Sequence, residues 1–307
     1  MAQTRDATLV WVGPVDYPDV TAAVVRGGGT LTSLEDAKVI VWTGDGPSTA
    51  SAELFHAGIE WVQVDSAGVD HWFASGLLDD RRLWSSARGR FGAAVGEQAV
   101  MLLLAACRRV VELARTKTWI VPDNELLAGK TVGIIGAGSI GRETIARLVP
   151  FGVTTLAVAA PGDPDSGADE TFTPEQVDAV IERSDLIVLA LPLMPSTRHL
   201  VNAERLKLLG PKGWVVNVSR GPVVDTEALV QALRDGTIAG ACLDVTDPEP
   251  LPDGHPLWEM PNVLITCHSA NTEQMLLDAY AQLVEENVRL FHQGEPLQGL
   301  IDLDRGY

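Results

Sequence analysis

The sequence predicts an α/β protein of two domains, each a parallel sheet with helices on both faces. Three observations carry this. The chain has 307 residues, enough for two domains. Short, near-continuous apolar runs alternate with helical patterns along it, as strands buried on both faces require. Two long helical patterns, at 95–119 and 272–294, bracket the second alternation, so the chain leaves one domain, builds another and returns. The boundaries read this way are 1–94 plus 271–307 for the first domain and 95–270 for the second.

In chain order, "TLVWV" (8–12), "KVIVW" (38–42) and "WVQVD" (61–65) are β-rich runs of strand length. Glycine and proline punctuate them at "GP" (13–14), "RGGGT" (26–30) and "GDGP" (44–47). From 95 to 119 apolar residues recur at helical spacing, and the stretch reads as one long helix that could join the domains. Its most apolar part, "AVMLLLAAC" (99–107), is far short of the roughly 18 residues a membrane span needs. Six more strands follow at 131–136, 154–159, 185–191, 213–219, 240–245 and 262–267. Helix starts are marked at "TPEQ" (173–176), with Thr173 as cap and Pro174 behind it, and at "DTEAL" (225–229), with Asp225 or Thr226 as cap. "APGDPDSGADE" (160–170) reads as a polar loop.

A net charge of −18 argues against a general nucleic-acid binder and against anionic membrane surfaces. It does not exclude an anionic small substrate, because a distant surface charge is screened within about 10 Å. Cys107, Cys242 and Cys267 are an odd number without a CxxC pair, which predicts reduced thiols in a cytoplasmic protein. The N-terminus shows no signal-peptide pattern. No clustering of acids, histidines or cysteines suggests a metal.

"GIIGAGSIGR" (133–142) carries Gly136, Gly138 and Gly141 as G-x-G-x-x-G after an apolar strand and at the start of a helical pattern, the context this motif needs. Gly136 permits the tight turn, Gly138 lets the backbone approach a pyrophosphate, and Gly141 lets helix and strand pack. A Rossmann-like dinucleotide domain is the reading. The acid expected at the end of the next strand is missing, since Ala159 and Ala160 stand there. No arginine for a 2′-phosphate replaces it, and Asp163 is as readily a loop residue. NAD(H) and NADP(H) both stay open.

Arg220 ends one strand, Glu249 follows the next in the proline-rigidified "DVTDPEPLP" (244–252), and His268 follows the one after in "ITCHSA" (265–270). Alone, each reads as readily structural as functional. Together, after three successive strands and beside a dinucleotide turn, they read as a site. Arginine can hold a carboxylate with two parallel hydrogen bonds.

These stretches resemble the D-isomer-specific 2-hydroxyacid dehydrogenases. The similarity runs through "VDSAGVDHW" (64–72), "GEQAVMLLLAACR" (96–108), "LLAGKTVGIIGAGSIGR" (126–142), "LPLMPSTRHLVN" (191–202) and "VVNVSRGPVVDTEALVQAL" (215–233), then on to His268. The resemblance implies two Rossmann-like/flavodoxin-like domains with a cleft between them, linked by the two long helices. It implies that Arg220 binds the substrate's carboxylate and carbonyl, that His268 is the acid/base, and that Glu249 pairs with it. It implies Asp244 at the nicotinamide carboxamide and backbone N–H groups of Gly68 and Val69 at the substrate carboxylate. Cofactor contacts would extend over Ser139, Ile140, Arg142, Pro192, Thr197, Val218 and Ser219. Gln98 departs from a histidine common in the family, and Cys267 from a common proline.

The implied reaction is hydride transfer between NAD(P)H and a small 2-keto acid or D-2-hydroxy acid, glyoxylate and hydroxypyruvate first, in a homodimer. His268 as imidazolium would protonate the carbonyl oxygen, Arg220 would stabilise its growing charge, and Glu249 would orient the ring. Rival readings are a dinucleotide-sensing regulatory or interaction protein on the same fold, a formate or phosphite oxidiser, and a methyltransferase or epimerase. The intact Arg–Glu–His set disfavours the sensor, Glu249 disfavours the formate oxidiser, and neither a methyltransferase nor an epimerase needs all three residues.

Overall fold

A computed structural model describes residues 7–160 and 166–306. Asp163 therefore lies outside the described residues. The chain divides into two units: 1–91 with 272–307, and 92–271. Each contains one fully parallel sheet.

The first unit begins with strand β1 (Thr8–Gly13), helix α1 (Pro18–Arg26), β2 (Gly29–Leu31) and β3 (Val39–Trp42). It continues with β4 (Trp61–Gln63), α2 (Asp70–Ser75) and β5 (Leu83–Ser85). The sheet order is β2-β1-β3-β4-β5, the flavodoxin-like arrangement. Both faces of β3 are covered. Val39 and Val41 join one cluster with Val10 and Trp61, while Ile40 and Trp42 join another with Phe55, Trp72 and Trp84. That two-sided burial explains why the strand reads as a continuous apolar run.

The second unit opens with α3 (Gly92–Cys107) and α4 (Val110–Arg115). It builds β6 (Thr131–Ile135), α5 (Ser139–Leu148), β7 (Thr154–Val158), β8 (Glu170–Phe172), α6 (Val177–Arg183) and β9 (Leu186–Leu189). It closes with α7 (Ala203–Leu209), β10 (Trp214–Asn217), α8 (Thr226–Arg234), β11 (Gly240–Leu243), α9 (Pro256–Glu259) and β12 (Val263–Ile265). The strand order β12-β11-β10-β9-β6-β7-β8 reverses direction at β6, so the switch point where such sheets bind ligands lies beside β6 and β9. The last helix, α10 (Glu273–Gln293), returns to the first unit. There the buried Tyr280 hydroxyl donates to the Trp42 and Gln63 carbonyls, at 2.8 and 3.1 Å.

The structure corrects several readings. The pattern at 95–119 is not one helix. Arg109 adopts left-handed backbone (φ 50°) between α3 and α4, and helical periodicity does not register a one-residue reversal. The glycine run at 26–30 feeds a short edge strand, β2, and the polar stretch at 160–170 ends in edge strand β8. Of the two candidate caps for α8, Asp225 serves, accepting from Ala228 N–H at 3.0 Å. After Thr173 a 3₁₀ turn precedes α6, with Gln176 reaching back to the Thr173 N–H at 3.0 Å.

Candidate active site

All of the second unit's predicted site residues stand at the carboxyl ends of neighbouring strands. The turn after β6 holds Gly136, Gly138 and Gly141. Gly136 has φ 106°, a value that L side chains rarely adopt, and a Cβ there would meet the Ala190 carbonyl at 2.5 Å. A Cβ at Gly141 would overlap the Gly136 carbonyl. Gly138 faces open space and is the N-cap of the ten-residue α5, with no side-chain cap on its N–H groups. An uncapped helix start beside an open backbone fits a pyrophosphate. Ser139, Ile140 and the exposed Arg142 form the first turn of α5. α3 packs closely on this helix: a Cβ at its Gly92 would lie 3.1 Å from the Ser139 carbonyl oxygen, and one at its Gly96 2.9 Å from Glu143 Cβ. β7 is followed by the buried Ala159 and the exposed Ala160, neutral as the sequence shows.

After β9, the Thr197 hydroxyl donates to the Pro192 carbonyl at 2.7 Å and accepts from Met194 N–H at 2.8 Å, so it shapes its own loop. At the end of β10, the buried Asn217 organises "NVSR": its carboxamide oxygen accepts from Ser219 N–H (3.0 Å) and Ser219 Oγ (2.8 Å), and its nitrogen donates to the Arg220 carbonyl (3.0 Å). Val218 and Ser219 are buried. The Arg220 guanidinium donates to the Ser219 carbonyl at 2.9 Å.

After β11 comes Asp244, only 2% exposed. Its Oδ1 accepts from Gln98 Nε2 (3.1 Å), Thr266 Oγ (2.5 Å) and Ser269 N–H (3.0 Å), and its carbonyl accepts from His268 N–H (2.5 Å). Glu249 Oε2 accepts from Thr246 N–H at 3.2 Å, while Oε1 meets His268 Nδ1 at 2.7 Å. The structure thus brings Glu249 and His268 into direct contact. Cys267 and His268 both have left-handed backbone, φ 51° and 53°. For non-glycine residues this costs roughly 1–2 kcal/mol each.

The electrostatics follow from this contact. The hydrogen bond to Glu249 holds the His268 ring's proton affinity above the ordinary histidine value, against partial burial and the Arg220 charge. The same bond, more than the Thr246 amide or the Arg220 charge, holds the Glu249 carboxyl below the ordinary range. With Nδ1 committed to Glu249, Nε2 is the nitrogen left to exchange a proton.

Gly68 and Val69 belong to the first unit, between β4 and α2, with Val69 as the N-cap of α2. Just ahead of them, burial pushes the Asp65 carboxyl up to about 7. The sequence reading gave no role to Asn217, Thr246 and Thr266, and none to Gln98 beyond its departure from the family. A polar residue at the end of an apolar strand was the available signal for Asn217. The others bond only through the fold. No His/Cys/Asp/Glu group among the described residues could hold a metal.

The glycine turn, Arg220 and the Glu249–His268 pair stand at one end of a parallel sheet, the arrangement that a dinucleotide-dependent oxidoreductase requires. Residues 100–270 match the D-isomer specific 2-hydroxyacid dehydrogenase NAD-binding domain, and the chain belongs to that family. It is 41% identical to an uncharacterised protein in the proB 3′ region of Corynebacterium melassecola, over 95% of this chain and 99% of the relative. It is 39% identical to the glyoxylate reductase of Thermofilum pendens, over 89% of this chain and 79% of that one. Its fold matches the Xanthobacter autotrophicus Py2 D-isomer specific 2-hydroxyacid dehydrogenase, solved with NADPH and MES, at TM-score 0.85 and 29% identity, covering 99% of this chain and 100% of that one. The protein is an NAD(P)-dependent enzyme that interconverts 2-keto and 2-hydroxy acids. Among the described residues no helix is long and apolar enough to cross a membrane.

Proposed function

We propose that the chain reduces small 2-keto acids, glyoxylate and hydroxypyruvate first, with His268 as the acid, Arg220 as the substrate's anchor and Glu249 as the partner of His268. The observation that carries this is the 2.7 Å contact between His268 Nδ1 and Glu249 Oε1 at the carboxyl end of the dinucleotide sheet. Bound reduced nicotinamide supplies the hydride to C2. His268 delivers a proton from Nε2 to the carbonyl oxygen, and Glu249 holds the ring in orientation and supports its charged form. Arg220 pairs with the carboxylate and stabilises the growing oxyanion. Asp244 is assigned to the carboxamide, and Gly68 and Val69 to the substrate carboxylate, on the family resemblance. The turn at Gly136–Arg142, with Pro192, Thr197, Val218 and Ser219, is assigned to the dinucleotide.

The test is loss of reduced-nicotinamide absorbance with NADH and NADPH separately, against glyoxylate, hydroxypyruvate, pyruvate and phenylpyruvate, with His268→Ala as control. Turnover that the variant loses supports the assignment. Tight dinucleotide binding without any turnover would favour the sensing protein instead.

We further assign a homodimer and a cytoplasmic setting. Trp119, Val121 and Leu126 are 98%, 90% and 67% exposed on the segment after α4, apolar surface that a second copy would cover. The three unpaired cysteines suit a reducing compartment. Light scattering at the mass of a single chain would reject the dimer.

A further inference from the structure

The turn that presents His268 is strained at two residues, Cys267 and His268, so something must hold it. Asp244 grips it from both sides. Its carbonyl takes the His268 N–H, and its Oδ1 takes the Ser269 N–H and the Thr266 hydroxyl. Asp244 is itself held by Gln98, whose Nε2 donates to Asp244 Oδ1 at 3.1 Å and to Thr266 Oγ at 3.0 Å. Gln98 is the one member of this cluster that comes from α3 and not from the strand ends. α3 is well anchored, with Val95, Ala99, Leu102 and Leu103 buried.

We propose that Gln98 is a positioning residue for the acid/base: by donating to Asp244 and Thr266 together, it fixes the 266–269 turn and so keeps the His268 ring against Glu249. The geometry favours an amide here. Thr266 spends its own hydrogen on Asp244 and so needs a donor from outside, and one NH₂ group has two hydrogens to share between these two acceptors. A carboxylate at this position would face Asp244 with like charge, and an apolar side chain would leave a buried carboxylate oxygen one donor short. The ring is not touched by Gln98, so the effect is on placement and not on proton transfer itself.

The inference rests on the proposed role of His268, so its test includes a readout that needs no turnover. In Gln98→Leu, the NMR titration of the His268 ring, assigned by its loss in His268→Asn, is expected to move toward the ordinary histidine value as contact with Glu249 loosens. In parallel kcat should fall about tenfold, a modest share of what misplacing a reacting group can cost, with KM for the keto acid within about twofold. Gln98→His, which keeps one ring N–H donor, should recover most of both readouts. If Gln98→Leu does not fold, Thr266→Val removes the same node and should shift the same titration. A folded Gln98→Leu with unmoved titration, kcat and pH profile overturns the inference. A shifted titration in a protein that turns over no 2-keto acid keeps the positioning role and overturns the proposed substrate class.

Discussion

Two sharp turns stand at the carboxyl end of the larger sheet. The turn after β6 puts positive φ at Gly136 (φ 106°), and the turn after β12 puts it at Cys267 (φ 51°) and His268 (φ 53°). In the role proposed for it, the first turn lets a ligand approach backbone, so glycine serves and no steric cost arises. The second, in its proposed role, presents the His268 side chain, so glycine cannot serve at 268. Its strain is offset by the hydrogen bonds that Asp244 and Gln98 gather around it. At the glycine turn the positive φ falls on a residue that accepts it freely, and at 267–268 it falls on two side-chain-bearing residues held by hydrogen bonds.

The difference can be broken most severely at the clamped turn. His268→Ala should lower keto-acid reduction by about 10²–10⁴-fold, while dinucleotide affinity, read by nicotinamide fluorescence quenching, stays within about twofold. Equal loss of both would mean the turn supports the fold and not the chemistry. At the relaxed turn, Gly136→Val forces a side chain into left-handed backbone and against the Ala190 carbonyl. It should destabilise the protein by about 1–3 kcal/mol in denaturant unfolding and weaken dinucleotide binding together with activity. Retained binding would remove the pyrophosphate role.

Arg220→Ala should raise KM and lower kcat in steady-state assays, with kcat/KM down by about 10²-fold or more, in the range of a lost oxyanion donor. An unchanged KM would end its anchoring role. Glu249→Gln sharpens the electrostatics. With His268 as the proposed acid, reduction needs it charged, so the rate is full below its pKa and is lost as pH rises through it. Glu249 holds that pKa up, so the variant's kcat/KM profile should lose its alkaline side at lower pH. A profile that does not move rejects the pairing. The smallest effect is expected at Cys267→Gly. Relief of left-handed strain should offset the extra entropy of an unfolded glycine, leaving thermal stability within about 0.5 kcal/mol. By contrast, an Ala→Gly change inside a helix costs about 1 kcal/mol.

The architecture was largely legible because parallel strands covered on both faces are continuous apolar runs. β3, with all four residues buried, is the plainest example. The glycine turn was legible because its three glycines fall within six residues, directly after an apolar strand, although the Ala190 carbonyl that excludes a side chain at Gly136 comes from far along the chain. Edge strands β2, β5 and β8 escaped notice because one side of each lacks a partner strand, and their three residues carry little pattern. The break at Arg109 escaped for the reason that periodicity measures side-chain faces, not a single backbone reversal. Arg220, Glu249 and His268 could be nominated from their positions after strands. Gln98 could not, since its bonds to Asp244 and Thr266 span 146 and 168 residues of sequence and exist only once α3 has packed.

Cys267 gives the clamped turn a chemical handle. Its thiol is exposed, next in sequence to His268, while Cys107 and Cys242 are buried and burial pushes the Cys242 thiol up to about 12, well away from reactive thiolate. A maleimide dye or nitroxide should therefore attach at this one address in the native chain, without mutagenesis. Labelled there, the protein would report on its own proposed site, and a signal unmoved by dinucleotide and keto acid would place their binding elsewhere.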